Sequence, residues 1–308
     1  MIASVSLEEA ENDPETFARQ LGRSFEHYGF ALVSDHGIDP AAIARADTAA
    51  RAFFALPEEV KRRWHVPGSG GARGYTPFGT EAAKDAPAAD LKEFWHVGRE
   101  LPPGHRFEPY MPPNIWPDEI AGFRDAQLAL FAAFEAAGAR LLAAIARHLG
   151  LAPDWFADPV ADGNSVLRLL HYPPVPEDAP GIRAGAHEDI NAITLLLGAE
   201  EAGLEILLAD GGWLPIAVGA GELVVNVGDM LQRLTNYRLR STTHRVRNPP
   251  PERRGYSRYA MPFFLHFRPD FLIETLPGCV DAERADRFPE PILADDYLRE
   301  RLREIRLL

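Results

Sequence analysis

Three residues in this chain have the types and spacing to hold a metal: His187, Asp189 and, well downstream, His244. The first two stand at the polar start of Gly185-Ala186-His187-Glu188-Asp189-Ile190-Asn191-Ala192-Ile193-Thr194-Leu195-Leu196-Leu197. That stretch ends as a branched apolar run suited to a buried strand. Side chains two apart on a strand point the same way, so His187 and Asp189 are expected on one face and Glu188 on the other. Ser241-Thr242-Thr243-His244-Arg245-Val246 also reads as a strand. Intervening antiparallel strands can bring its histidine alongside the first pair. Two imidazoles and one carboxylate, with open positions left over, suit a non-haem Fe(II) ion. The plain alternative is structural, since a chain with 10 histidines can contain a His-x-Asp by chance. No catalytic side chain is expected beyond the three ligands.

A second pair of residues points to an anionic cosubstrate. Arg258 sits in the apolar run Arg258-Tyr259-Ala260-Met261-Pro262-Phe263-Phe264, where an unpaired charge is costly. Its planar fork matches a carboxylate, so it could hold a dicarboxylate whose other end ligates the metal. An internal salt bridge would explain it equally well. Tyr172 ends the strand Val166 to Tyr172 before Pro173-Pro174, and its hydroxyl could reach the same anion or anchor a turn. His171 should face the opposite way. His36, His96, His148 and His266 read as structural, Asp229 as a local backbone cap, and Lys92-Glu93 as a surface pair. Arg245 and Arg247 are expected to face solvent.

The elements that must position these groups change character along the chain. Asp13-Pro14 and Asp39-Pro40 each read as a capped helix start. Phe30 to Val33 is a short strand between these helices, and a third short helix runs from Leu56 to about Trp64. From Pro67 to Pro113 the chain is Gly- and Pro-rich, with turn chemistry at Gly74-Tyr75-Thr76-Pro77-Phe78-Gly79. Segments of this kind connect elements or rim a site. Phe123, Leu130, Phe131, Phe134, Leu141, Leu142 and Ile145 mark one stripe of a long amphipathic helix ending near Gly150. After Asp154, seven or eight short strands with turns between them suggest a sandwich or jelly roll, including a hairpin about Asp210-Gly211-Gly212. Asp295 to Leu308 reads as a charged helix with Tyr297, Leu298, Leu302 and Ile305 on its apolar side.

Composition narrows the function classes. The chain has 308 residues, enough for a substantial core. It carries 32 basic against 45 acidic residues, a net charge of −13, which disfavours a nucleic-acid partner. Cys279 is the only cysteine, so no intrachain disulfide or thiolate metal cage can form. Met1 to Asn12 lacks the apolar core of a signal peptide, and no apolar run looks long enough to cross a bilayer. A cytoplasmic enzyme acting on a small molecule, without a membrane or nucleic-acid partner, is the expectation. Oligomeric state is not legible.

These residues, taken in order, resemble the isopenicillin-N-synthase-like branch of the 2-oxoglutarate- and Fe(II)-dependent dioxygenases. The N-terminal part contributes Tyr28-Gly29-Phe30, Asp35-His36-Gly37-Ile38 and Gly74-Tyr75-Thr76-Pro77. The C-terminal part contributes Tyr172-Pro173-Pro174, His187-Glu188-Asp189, Val225-Asn226-Val227-Gly228-Asp229, Thr235-Asn236, Ser241 to Val246 and Arg258-x-Ala260. The resemblance implies a mainly β fold with flanking helices around a double-stranded β-helix, or jelly-roll, core. It implies an N-terminal region over 1–115, a scaffold helix over 116–160, the core over 161–270 and an extension with a helix over 271–308. It also implies Fe(II) on His187, Asp189 and His244, and 2-oxoglutarate on Arg258 and Tyr172, with O₂ as oxidant. Two positions depart from the family pattern. Ala260 stands where a serine is usual, and Leu170 where an asparagine often precedes the tyrosine. Losing the serine hydroxyl removes a hydrogen bond worth about 0.5–1.5 kcal/mol.

The expected reaction is oxidation of an unactivated C–H bond of a small molecule, by hydroxylation, desaturation or ring closure, with release of succinate and CO₂. Competing readings are an iron and O₂ oxidase that does not use 2-oxoglutarate, a Zn²⁺-dependent hydrolase on the same ligands, and a non-catalytic jelly-roll binding protein.

Overall fold

Asp13 and Asp39 start their helices in the same way. Each side chain accepts a backbone N–H of the first turn, from Thr16 at 3.1 Å and Ala41 at 2.9 Å, and each is followed by proline. The computed structural model describes residues 2–82, 88–177, 179, 181–197, 202–219 and 221–304. Helices Pro14–Tyr28 and Pro40–Phe54 bury Phe17, Leu21, Phe25, Phe53 and Phe54. Both pack on the 26-residue helix Phe123–His148. That helix ends in a Schellman turn. Leu151 N–H bonds Ala146 O at 2.9 Å and Gly150 N–H bonds Arg147 O at 3.0 Å, with Gly150 at φ 76°.

The strands form two main sheets. The larger one runs Ser4–Ser6, Phe30–Ser34, Leu223–Val227, Ile193–Leu197, Pro262–Leu265, Val166–Tyr172, Glu93–Gly98, Gly74–Thr76, and Arg258–Ala260 also pairs with Val166–Tyr172. The smaller runs Ala184–His187, His244–Val246, Leu204–Leu207, Trp213–Pro215. Alternation divides the large sheet's side chains. Leu167, Leu169, Trp95, Val97 and Phe263 belong to the core shared with the long helix, where Phe134 stacks on Phe263 at 5.3 Å. Phe94, Leu170, Tyr172 and Ala260 face inward and meet Ala184 and Val246 of the smaller sheet. Phe30 and Val224 likewise meet Leu204, Ile206 and Ile216. Two sheets closing on a shared interior make the expected jelly roll. The large sheet draws strands from both the 1–115 and 161–270 stretches.

Several expectations need correction. Helix Phe123–His148 is long and apolar enough to cross a membrane by length and composition. Its apolar residues instead cover the sheet and the two N-terminal helices. Gly185 to Leu197 is not one strand. Ala184–His187 lies in the small sheet and Ile193–Leu197 in the large one, with Asp189 in the connection. The Pro67 to Pro113 stretch supplies two strands of the large sheet. Within it Lys92 and Glu93 are buried rather than exposed, and alternation sends them to opposite sides of the sheet. Helix Ala294–Glu304 is as expected, and Ile305 lies outside the described residues.

Candidate metal centre

His187 closes its strand directly opposite His244, its antiparallel partner, and the two rings lie 4.4 Å apart between centroids. Each ring places Nδ1 against a backbone carbonyl, Gly185 O at 2.7 Å and Thr242 O at 3.1 Å. An imidazole that donates from Nδ1 keeps a lone pair on Nε2. Both Nε2 atoms face Asp189 Oδ1, at 3.9 Å and 3.8 Å. One potential ligand atom from each residue falls within 4.8 Å of the other two.

Asp189 arrives by a different route from the strand alternation expected of it. Its carbonyl accepts the Asp229 N–H at 2.7 Å, and Ala192 O accepts the Gly228 N–H at 2.9 Å. The approach is so close that a Cβ on Gly228 would lie 2.1 Å from Asn191 O. Oδ2 accepts the Thr194 hydroxyl at 2.6 Å and the Asn226 amide at 2.8 Å. Burial opposes the charge on Asp189, but the two imidazoles and these donors outweigh it, so its carboxyl sits below the usual range. Burial, reinforced by His244, pulls His187 down to about 4. A neutral imidazole and an ionised carboxylate are the forms a divalent cation needs, and nitrogen with hard oxygen fits ferrous iron.

Arg258 and Tyr172 are cross-strand partners deeper in the interior, and the guanidinium carbon lies 5.1 Å from the phenol centroid. Ala260 and Leu170 pack beside them as apolar lining. Sequence reasoning passed over Arg183. It is fully buried and donates from Nη2 to Tyr256 O at 3.0 Å, and among the described residues Nε and Nη1 have no hydrogen-bond partner. Burial and the nearby charge of Arg258 bring it down to about 10. An arginine just before a histidine-bearing strand was the available signal.

A cavity of about 600 Å³ opens beside the triad. His187 and Asp189 line it, together with a buried ionic cluster that no short sequence window reveals. Lys92 bridges Glu81 at 2.6 Å and Asp90 at 2.7 Å. Arg168 meets Glu81 end-on at 3.1 Å and 3.3 Å, and donates from Nε to His96 Nε2 at 2.6 Å. His96 therefore carries its proton on Nδ1, facing Gly71 O at 2.5 Å. Burial, with Arg168 adding to it, holds His96 well below its ordinary value. Asp90 accepts the Gly185 N–H at 2.8 Å and the Gly185 carbonyl faces His187 Nδ1, so one residue ties the cluster to the His187 ring. His96 and His266, expected to be structural, both line the cavity. Asp229 is no local cap, since its carboxylate pairs with Arg301 at 3.1 Å. Arg245 and Arg247 share Glu205, at 2.8 Å and 3.0 Å.

The cluster makes a pH prediction. Burial opposes the charge on Glu81, but Arg168 and Lys92 outweigh it and hold its carboxyl well below the ordinary 4.5. A depressed folded value contributes stability above the unfolded value and loses it as pH falls toward the folded one. Glu81→Gln should cost roughly 3–5 kcal/mol at pH 7, because Arg168 loses its acid and buried Lys92 loses one of its two. The gap to wild type should shrink steadily below about pH 4.5. Denaturant midpoints measured from pH 7 to 3 check this; a gap independent of pH counts against it.

The chain matches known families over most of its length. Residues 2–119 match the N-terminal model of the non-haem dioxygenases named for morphine synthesis, and residues 163–267 match the 2OG-Fe(II) oxygenase superfamily. The 2-oxoglutarate-Fe(II) type oxidoreductase hxnY of Emericella nidulans is 34% identical over 91% of this chain and 82% of its own. The proline hydroxylase buaE of Petromyces alliaceus is 33% identical over 96% and 95%. Among solved structures, a 2OG-Fe(II) oxygenase family protein of Caulobacter crescentus is 57% identical, with TM-score 0.93 over 99% of both chains. A Neurospora crassa protein in complex with alpha-KG and thymine is 30% identical, with TM-score 0.87 over 98% and 96%. The chain therefore belongs to the 2-oxoglutarate- and Fe(II)-dependent oxygenases, in their isopenicillin-N-synthase-like branch, and is a non-haem iron dioxygenase.

Proposed function

We propose that His187, Asp189 and His244 hold the ferrous ion, and that Arg258 and Tyr172 receive the far carboxylate of 2-oxoglutarate. The observation that carries this is the convergence of two pinned imidazoles and one carboxylate on a common point. When bound, iron and 2-oxoglutarate supply the oxidation, releasing succinate and CO₂ as O₂ is consumed and a substrate C–H bond is oxidised. The protein's own part is positioning. Thr194 and Asn226 fix the aspartate, and Gly185 and Thr242 fix the ring orientations. Arg258 supplies a desolvated positive charge at the cosubstrate end, and Arg183 adds a second. That second charge offsets the hydroxyl absent at Ala260. The cavity beside the triad is the substrate chamber, and its ionic wall favours a small polar molecule. The thymine held by the Neurospora crassa protein and the proline for which the hydroxylase buaE is named belong to that class.

The test is anaerobic addition of Fe(II), then 2-oxoglutarate, to purified protein. A visible charge-transfer band should appear, and admitting O₂ should release succinate. Fe(II) binding with neither band nor succinate would replace this reading with an oxidase that dispenses with the oxo acid.

A further inference from the structure

Gly98 has no side chain, and the space is taken by an arginine. A Cβ at Gly98 would lie 2.0 Å from both Cζ and Nη2 of Arg73 and 2.4 Å from Nε. The peptide of Gly98 is held in turn by Asn114, whose amide both accepts and donates at 2.8 Å. Arg73 is 5% exposed and lines the cavity. Nη1 donates to Ala72 O at 2.6 Å, while Nε and Nη2 have no partner among the described residues. Those two N–H groups lie on one edge of the guanidinium, the edge that meets a carboxylate through two parallel bonds.

Among the described residues the charges around it do not balance. Lys92 and Arg168 are met by Glu81 and Asp90. Among the described residues no carboxylate pairs with Arg73. Burial lowers it only to about 10, so it stays cationic at neutral pH. An unpaired buried cation is costly unless a ligand supplies the anion.

We propose that the chamber takes a substrate bearing a carboxylate, received by the Nε and Nη2 edge of Arg73. This rests on the reading of the cavity as the substrate chamber. Register places the anchor relative to the triad. Gly98 pairs with Val166, Val166 with Phe264, and Phe264 with Thr194, which holds Asp189. Three strand spacings of about 4.8 Å make the path roughly 14 Å along the sheet. The C–H bond that is oxidised then lies several bonds from the acid, as in an aromatic acid or an N-acylated amino acid. Both nitrogens are closed off from solvent. Ser69, Gly70 and Ala72 of the preceding turn share the cavity wall, and Gly68, Gly70 and Gly71 hold positive φ. The acid enters by displacing that turn.

The test uses Mn(II)-loaded protein with 2-oxoglutarate, anaerobically, and calorimetric titration with benzoate, phenylacetate and N-acetyl amino acids, each beside its primary amide. At least one acid should bind roughly 10- to 100-fold tighter than its amide. Arg73→Met should level the two. Arg73→Lys should keep part of the preference, and Gly98→Ala should weaken it by crowding the guanidinium out. Acids that bind no better than amides, a preference that survives Arg73→Met, or no binding acid at all would each overturn the proposal. Preference for acids without 2-oxoglutarate binding would instead overturn the cosubstrate assignment and leave this one standing.

Discussion

Asp189→Ala should yield folded protein that retains neither Fe(II) nor Mn(II) after desalting and releases no succinate. The loss should exceed the roughly 10- to 100-fold that removing an outer-shell partner gives. In the proposed site Asp189 provides the one anionic ligand, and without it two imidazoles remain to hold a dication. The variant also strands buried donors on Thr194 and Asn226, each costing about 1–3 kcal/mol. A lowered melting temperature is therefore expected alongside the metal loss. His187→Ala separates the two effects, because it removes a ligand while leaving both donors paired with Asp189. It should lose metal with a smaller change in melting. Stoichiometric Fe(II) retained by Asp189→Ala would mean that the triad is not the iron site.

Arg258→Met should raise the 2-oxoglutarate dissociation constant roughly 30- to 5,000-fold, the range that corresponds to about 2–5 kcal/mol for truncating one partner of a buried charge pair. Metal content should stay at wild-type level, because Arg258 is not part of the triad. Arg258→Lys keeps charge and loses the planar fork, so it should fall between. Ala260→Ser should act in the opposite direction and tighten binding by about 0.5–1.5 kcal/mol. Anaerobic titration of the visible band measures all three. An unchanged constant in Arg258→Met would place the cosubstrate carboxylate elsewhere, with Arg183 the next residue to replace.

The triad was legible because two histidines and an aspartate are few in kind and rich in chemistry. Their means of meeting was not. An apolar run after a polar start reads as one strand, and only the backbone bonds from Asp229 and Gly228 show the chain crossing between sheets at Asp189. The ionic cluster was illegible for another reason. Glu81, Asp90 and Lys92 lie close together in the sequence, but Arg168 comes from a strand 76 positions further on, and each looks like a surface charge by itself. Lys92 beside Glu93 gave the wrong picture because adjacent residues on a strand face opposite ways. Glu93 is engaged on its own side by Lys61 at 2.7 Å and His171 at 2.6 Å. Arg73 is understood only once Gly98 is seen to make room for it.

The two donors on Asp189 Oδ2 decide how many teeth that carboxylate can bring to an ion. With Thr194 and Asn226 occupying one oxygen, Asp189 is left monodentate through Oδ1. Chelation by both oxygens would require breaking both bonds. In the proposed site one oxygen and two nitrogens would hold the ion, and the protein would leave its remaining positions to the cosubstrate and oxidant. Thr194 and Asn226 would thus keep those positions free by holding the second oxygen of Asp189 away from the ion.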